Sequence, residues 1–208
     1  ATIHNSKTFG TSARLEAERR GIRQAKQVVV IGDGAGWIDT LHQQYFHRHV
    51  RIVDWYHASE HLHDVAKAAH PEDVDQQQQK AKRLTEALWH GQAPSVAEAI
   101  ETLSERAGPP RESDPADHPR RVLKQNAGYF QRHAQHMHYP AYRARGWPIG
   151  SGMTESGVKQ FNKRVKGTEQ FWSEPGAETI LALRALWLSN DDRWDHYWLG
   201  GYPRQKAA

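Results

Sequence analysis

The sequence predicts an α/β protein in which a parallel sheet layer is interrupted by a long all-helical insertion. Three observations carry this expectation. An amphipathic stretch at residues 12–26 (SARLEAERRGIRQAK) leads into the apolar, β-branched run VVVI at 28–31. A second helical pattern at 37–46 leads into an alternating stretch, HVRIVDW, at 49–55. From residue 58 the apolar period becomes that of helices and stays so towards 145.

Each element follows from its residues. Residues 12–26 are rich in good helix formers. The run at 28–31 reads as a strand buried on both faces, and it ends at Asp33 in GDGAGW. Trp37, Leu41 and Tyr45 recur at four-residue spacing, as on one helix face. In the second strand Val50, Ile52 and Asp54 fall on one side and Arg51 and Val53 on the other. Helix–strand–helix–strand order favours parallel pairing. HASEHLHDVAKAAH, QQQQKAKRLTEALW and SVAEAIETL carry helical periodicity, and the four glutamines at 76–79 read as an exposed helix face. GPPRESDPADHP at 108–119, dense in Pro and Asp, reads as a flexible break. After the turn PIGSG, residues 154–166 should be helical with Val158, Phe161 and Val165 on a buried stripe. Ser173 introduces an apolar helix at 177–189 whose Ile180, Leu181, Ala185 and Leu188 belong in a core, with the aromatic tail WDHYWLGGY packed onto it. Three parts result: 1–57, 58–145 and 146–208.

Composition narrows the class. The 208 residues are 38% hydrophobic, enough for a core, at a mean hydropathy of −0.85. No apolar stretch reaches the roughly 20 residues that span a bilayer, so no membrane partner is expected. The first residues lack the pattern of a signal peptide, and the absence of cysteine excludes disulfides and thiolate metal sites. A cytoplasmic setting is the simplest expectation. Net charge is +4, the isoelectric point about 9.3, and 14 histidines can add positive charge in mild acid. Between Arg143 and Gln170 six basic residues stand against two acidic ones. That is either a solvated helix face or a phosphate-tracking surface.

Two carboxylates stand out for chemistry. Asp33 lies beyond the carboxyl end of a strand, where α/β sheets place ligands, with Gly32 and Gly34 permitting close approach. The same residue could simply shape the turn or cap the helix that follows. Glu155 falls in the first turn of a helix, where the macrodipole favours the ionised form, which suits a Mg²⁺ ligand and a plain helix start alike. The preceding GSG could offer backbone amides to a phosphate. Asp54 and His57 sit three apart at a strand-to-helix junction, where they could bond each other, hold the strand end or contact DNA. His57, Glu60 and His61 also match H-x-x-E-H, the inverted zinc-peptidase pattern, with His63 adding another nitrogen. Lys159, Lys163, Arg164 and Lys166 are candidate phosphate contacts, and Trp172 could stack on an unpaired base or pack in a core. Dinucleotide and P-loop glycine patterns are absent.

The segments VVVIGDGAGWI, RIVDWYHASEHL, GWPIGSGMTESGVKQF and ILALRALWLSNDDRWDHYW resemble, in order and across nearly the whole chain, bacterial insertion-sequence transposases of the Kra family, in the Mutator-related branch. The resemblance implies an RNase H-like fold, here partial with its opening strands missing, and a large helical insertion before the helix that carries the catalytic Glu. It implies two Asp and one Glu holding two Mg²⁺ or Mn²⁺ ions. Asp33 matches the second Asp, Glu155 the Glu, and Asp54 with His57 the accessory D-x-x-H motif that organises the site and the DNA. The family's first Asp has no counterpart, because residues 1–32 contain none. The chain therefore resembles the carboxyl-terminal part of a transposase, with residues 1–9 as a remnant of the third strand.

Three functions follow as expectations. The first is metal-dependent DNA strand cleavage and strand transfer, incomplete in this chain, by a nucleoid-associated homo-oligomer acting on mobile-element ends and target DNA. The second is an inactive truncated transposase acting as a DNA-binding or dimerising module. The third is a zinc hydrolase at His57, Glu60 and His61.

Overall fold

The computed structural model describes residues 6–46, 49–167 and 169–200. The fold is mostly helical with a small parallel sheet, and the chain divides into two compact units: Glu18–Ser151, and Ala1–Ala17 together with Gly152–Ala208. No described helix is long and apolar enough to cross a membrane.

The larger unit holds the sheet. Strand β1 (Val28–Gly32) pairs in parallel with β2 (His49–Val53), Val28 opposite His49 and Gly32 opposite Val53, and helix α2 (Gly36–Tyr45) makes the crossover. These are the expected strands, with β2 two residues shorter because the chain turns at Asp54, whose side chain caps the next helix. Ile52 and Val53 are both fully buried, so neither face of β2 is open at its carboxyl end, and the expected alternation of its sides does not extend to burial.

Five helices follow: α3 (Trp55–Ala69), α4 (Val74–Trp89), α5 (Ala93–Ala107), α6 (Pro119–His133) and the short α7 (Tyr139–Ala144). Their starts are set by local chemistry. Asp54 accepts the His57 amide at 3.0 Å and Asp73 the Gln76 amide at 2.9 Å, while Pro119 opens α6, where a missing N–H costs nothing. The apolar stripes of α3 to α6 meet in one core. Leu62, Val65, Leu88, Val96, Ile100 and Phe130 are all excluded from solvent there, each contributing about 1.5–3 kcal/mol. Trp55 bridges core and sheet, its ring edge-on to Trp89 and Tyr139 at 4.8 and 4.9 Å.

The stretch expected as a flexible break is firmly bonded. Buried Asp114 takes the guanidinium of Arg120 at 2.9 and 3.0 Å and the Arg111 amide at 2.8 Å, while Arg121 donates to the Asp114 carbonyl. The Arg120 guanidinium, ahead of the Arg111 amide, holds the Asp114 carboxyl well below the usual carboxylate range.

In the smaller unit lie α8 (Gly152–Val165), α9 (Glu174–Leu188), α10 (Arg193–Leu199) and most of α1 (Ser6–Arg19). Helix α1 starts and ends earlier than expected: it stops before Gly21, whose φ of +80° breaks it, and a 3₁₀ turn (Ile22–Gln24) follows. Ser6 to Phe9 are helical, which corrects their reading as a strand remnant; residues 1–5 lie outside the described ones. Ser173 caps α9 as expected, but only Ala177 and Leu181 are buried, with Ile180, Ala185 and Leu188 half-buried. The aromatic tail does meet α9: Trp194 stands edge-on to Trp187 at 5.1 Å, and Arg193 grips Glu16 through both guanidinium nitrogens at 2.7 and 2.9 Å. Gly201 and Tyr202 lie outside the described residues.

Candidate active site

Parallel pairing puts the carboxyl ends of β1 and β2 side by side. The Asp54 amide donates to the Gly32 carbonyl at 2.8 Å, so Asp33 and Asp54 each follow directly on the end of adjacent strands. They differ in solvent contact. Asp33 is exposed; Asp54 is 3% exposed.

Asp33 shapes its turn with one oxygen, Oδ1 accepting the Ala35 amide at 2.8 Å, and Oδ2 takes no hydrogen bond from a described residue. Its backbone is held from above, where the Tyr129 hydroxyl donates to the Asp33 carbonyl at 3.0 Å. Burial, then the charges of Asp33 and Asp54, push the Tyr129 phenol up, so it remains a donor. Gly34 has φ +91°, and a Cβ there would lie 2.9 Å from the Tyr129 ring and 3.2 Å from that of His133. No other residue fits without displacing one of those rings.

Asp54 works as a structural knot. Oδ1 caps α3, while Oδ2 accepts the Ser151 amide at 2.5 Å, and next to it the Trp55 amide donates to the Ile149 carbonyl at 2.9 Å. Gly150 passes so close to Tyr56 that a Cβ would come within 2.8 Å of its ring. Of the roles open to this acid in sequence, holding the strand end is the one its bonds perform. They reach the backbone of His57 and not its imidazole.

His57 is the third residue of α3, 3.5 Å from Glu60 through Nδ1, with its ring edge-on to His61 at 4.8 Å. His61 Nδ1 lies 2.7 Å from Asn126 Oδ1, and the Asn126 amide nitrogen donates to the Val122 carbonyl. Asn126 can therefore offer His61 only an acceptor, which places the proton on Nδ1 and leaves Nε2 as a lone pair. The ring stacks on Tyr129 at 4.1 Å, and burial, against the pull of the Asn126 bond, lowers its pKa. Among the described residues no three His, Asp or Glu side chains are grouped so as to hold a metal ion.

In the smaller unit Glu155 stands in the first turn of α8, exposed, with Lys159 and Lys163 following at four-residue spacing. Arg164 and Lys166 are exposed too. No residue of α8 is buried; Val158, expected on an inward stripe, is 50% exposed, and Phe161 and Val165 are half-buried. Trp172 is no core residue: it is 41% exposed and its indole N–H donates to the Val165 carbonyl at the end of α8 at 3.1 Å. Asp33, Asp54 and His57 thus belong to one unit, and Glu155, Lys159, Lys163, Arg164, Lys166 and Trp172 to the other.

Sequence reasoning missed Tyr129, which bonds Asp33 from 96 residues away, and with it Asn126 and His133 on the same helix. Their only signal was polar and aromatic residues at three- and four-residue steps on the apolar stripe of α6.

A family model described as "Uncharacterised protein family (UPF0236)" matches residues 15–199. No curated protein and no solved structure matches the chain. The chain belongs to the UPF0236 family.

Proposed function

We propose that this chain is the catalytic region of a DNA transposase with an RNase H-like fold, cleaving and joining DNA strands with the help of divalent metal ions. The observation that carries the reading is the pair of bonds made by Asp54. One oxygen fixes the junction beside Asp33, and the other fixes Ser151, the residue that precedes the helix of Glu155.

Asp33 and Glu155 supply the hard carboxylate oxygens that Mg²⁺ and Mn²⁺ take. When bound, such ions polarise a phosphodiester and lower the pKa of an attacking water or 3′-hydroxyl. The protein's own residues do the rest. Tyr129 and Gly34 fix the main chain under Asp33, Asp54 fixes the approach to α8, and Lys159, Lys163, Arg164 and Lys166 neutralise phosphates along the DNA. Trp172, exposed beyond the basic helix, offers a face to an unpaired base. Residues 1–32 hold no Asp, so two acids of the family's three are assigned here.

The zinc reading is weaker at the same residues, since among the described residues no third His, Asp or Glu is grouped with His57 and His61 so as to hold a metal ion.

The test is nicking of element-end DNA by the longest form of the protein in Mg²⁺ or Mn²⁺. Asp33→Ala and Glu155→Ala should each lower the rate by more than about 100-fold, and Asp54→Asn by the 10- to 100-fold typical of an outer partner. Undiminished metal-dependent nicking by either Ala variant would remove the assignment.

A further inference from the structure

Between α3 and α6, within the larger unit, lies a cleft of about 810 Å³, in the size range that takes a small-molecule group such as a nucleotide. His61, Asp64 and Lys67 line one side, Gln125, Asn126 and Arg132 the other. Tyr129, which also lines it, joins the cleft to the candidate active site by bonding the Asp33 carbonyl, so the two lie one aromatic ring apart.

The chemistry of the walls is selective. The His61 proton is committed to Asn126, so Nε2 can only accept; Asp64 and Asp117 add carboxylate acceptors. Burial lowers the imidazole from its ordinary 6.5, which keeps it neutral at pH 7. An anion alone would meet two carboxylates and a lone pair. A group that brings N–H donors meets partners, as a cytosine amino group does with a carboxylate. Positive charge is present as well, on Arg132 and on Lys67, the latter 3.8 Å from Asp64. A ligand with amino donors at one end and a phosphate at the other uses both.

We propose that this cleft binds one unpaired nucleotide of a DNA strand whose base carries an amino group, cytosine or adenine in preference to thymine, with His61 Nε2 among its acceptors. The choice of DNA rests on the transposase reading above; the preference for an amino-bearing base rests on the cleft alone. Single-stranded DNA running from Asp33 past Tyr129 would deliver the nucleotide there.

The experiment is fluorescence anisotropy of labelled dC12, dA12 and dT12 with the full chain, at low salt and without divalent ions. Wild type should bind dC12 and dA12 at least about 5-fold more tightly than dT12, the lower end of what a specific base contact gives. His61→Phe, which keeps the stack on Tyr129 and removes the acceptor, should erase the preference. Arg132→Ala, at an exposed position, should weaken all three strands alike. Should His61→Phe fail to fold, the ¹⁵N resonance of His61 Nε2 in wild type decides instead: dCMP should shift it and dTMP should not. Equal affinities for the three strands, a preference that survives His61→Phe, or an Nε2 signal indifferent to dCMP would each overturn the proposal. Base preference without Asp33-dependent nicking would sink the transposase reading and leave the cleft; nicking without preference would do the reverse.

Discussion

Helices α6 and α8 are 15 and 14 residues long and both rich in cations, yet they are held in different ways. Helix α6 buries Leu123, Asn126, Ala127, Tyr129, Phe130 and His133; in α8 no residue is fully buried, and Phe161 and Val165 are half-buried. In α6 the polar residues have fixed employment. Arg120 and Arg121 bind the 108–118 loop, Asn126 orients His61 and Tyr129 holds Asp33. In α8 the carboxylate and the cations face solvent. Most helical stability comes from packing of an apolar face, so α6 is part of the frame and α8 belongs to the low-stability end from which ligand-binding elements are drawn.

The largest effect that could break this contrast is a cavity. Phe130→Ala should cost about 3–5 kcal/mol in urea unfolding, whereas Phe161→Ala on α8 should cost under about 1 kcal/mol. Equal losses would mean that α8 is packed as tightly as α6.

Charge deletion sharpens the same contrast. Lys163→Ala should leave stability within about 0.5 kcal/mol and reduce the slope of log K against log salt for DNA binding by about 0.9. Arg120→Ala should do the opposite: the Asp114 carboxylate loses its partner, the loop loosens, and the salt slope stays as it was. A slope that drops with Arg120→Ala and not with Lys163→Ala would reverse the roles given to the two helices.

Acid tests the frame without any substitution. Where α2, β2 and α6 meet, burial, ahead of the positive charges nearby, lowers His42 and His133 to about 4, and both face the Arg51 guanidinium, with Asp39, His49 and His136 around them. Because the folded values lie below the unfolded 6.5, the unfolded chain takes up protons first. Stability is full above pH 6.5 and is lost as pH falls from 6.5 towards 4. The thermal midpoint should drop by about 10 °C over that window. A midpoint that is flat from pH 7 to 4.5 would remove these histidines from the frame.

Much of the frame was legible in sequence because it rests on short-range signals. The β-branched run ending at Asp33, the stripe of Leu62, Val65, Leu84 and Leu88, and the Ser173 cap each announce themselves within a few residues. The errors share a physical origin in tertiary bonds. Residues 108–118 look flexible by composition, and one buried carboxylate pins them. Val158 keeps an inward spacing and stays half exposed, because periodicity shows which face could be buried, not whether anything covers it. The expected strand ran on to Trp55 because nothing local revealed that Asp54 would turn to the α3 amides and to Ser151, 97 residues away. The setting of Asp33 was half visible: its turn follows from the flanking glycines, its anchorage by Tyr129 does not.

The central proposal, drawn from the sequence resemblance, is that Asp33 and Glu155 both act as metal ligands. Mn²⁺ binding to the full chain, read by electron paramagnetic resonance, tests it through a double-mutant cycle with Asp33→Asn and Glu155→Gln. The account predicts that either substitution weakens Mn²⁺ at least about 10-fold and that the double variant is scarcely worse than a single one. Losses that add, or Mn²⁺ affinity that ignores one of the two acids, would contradict it.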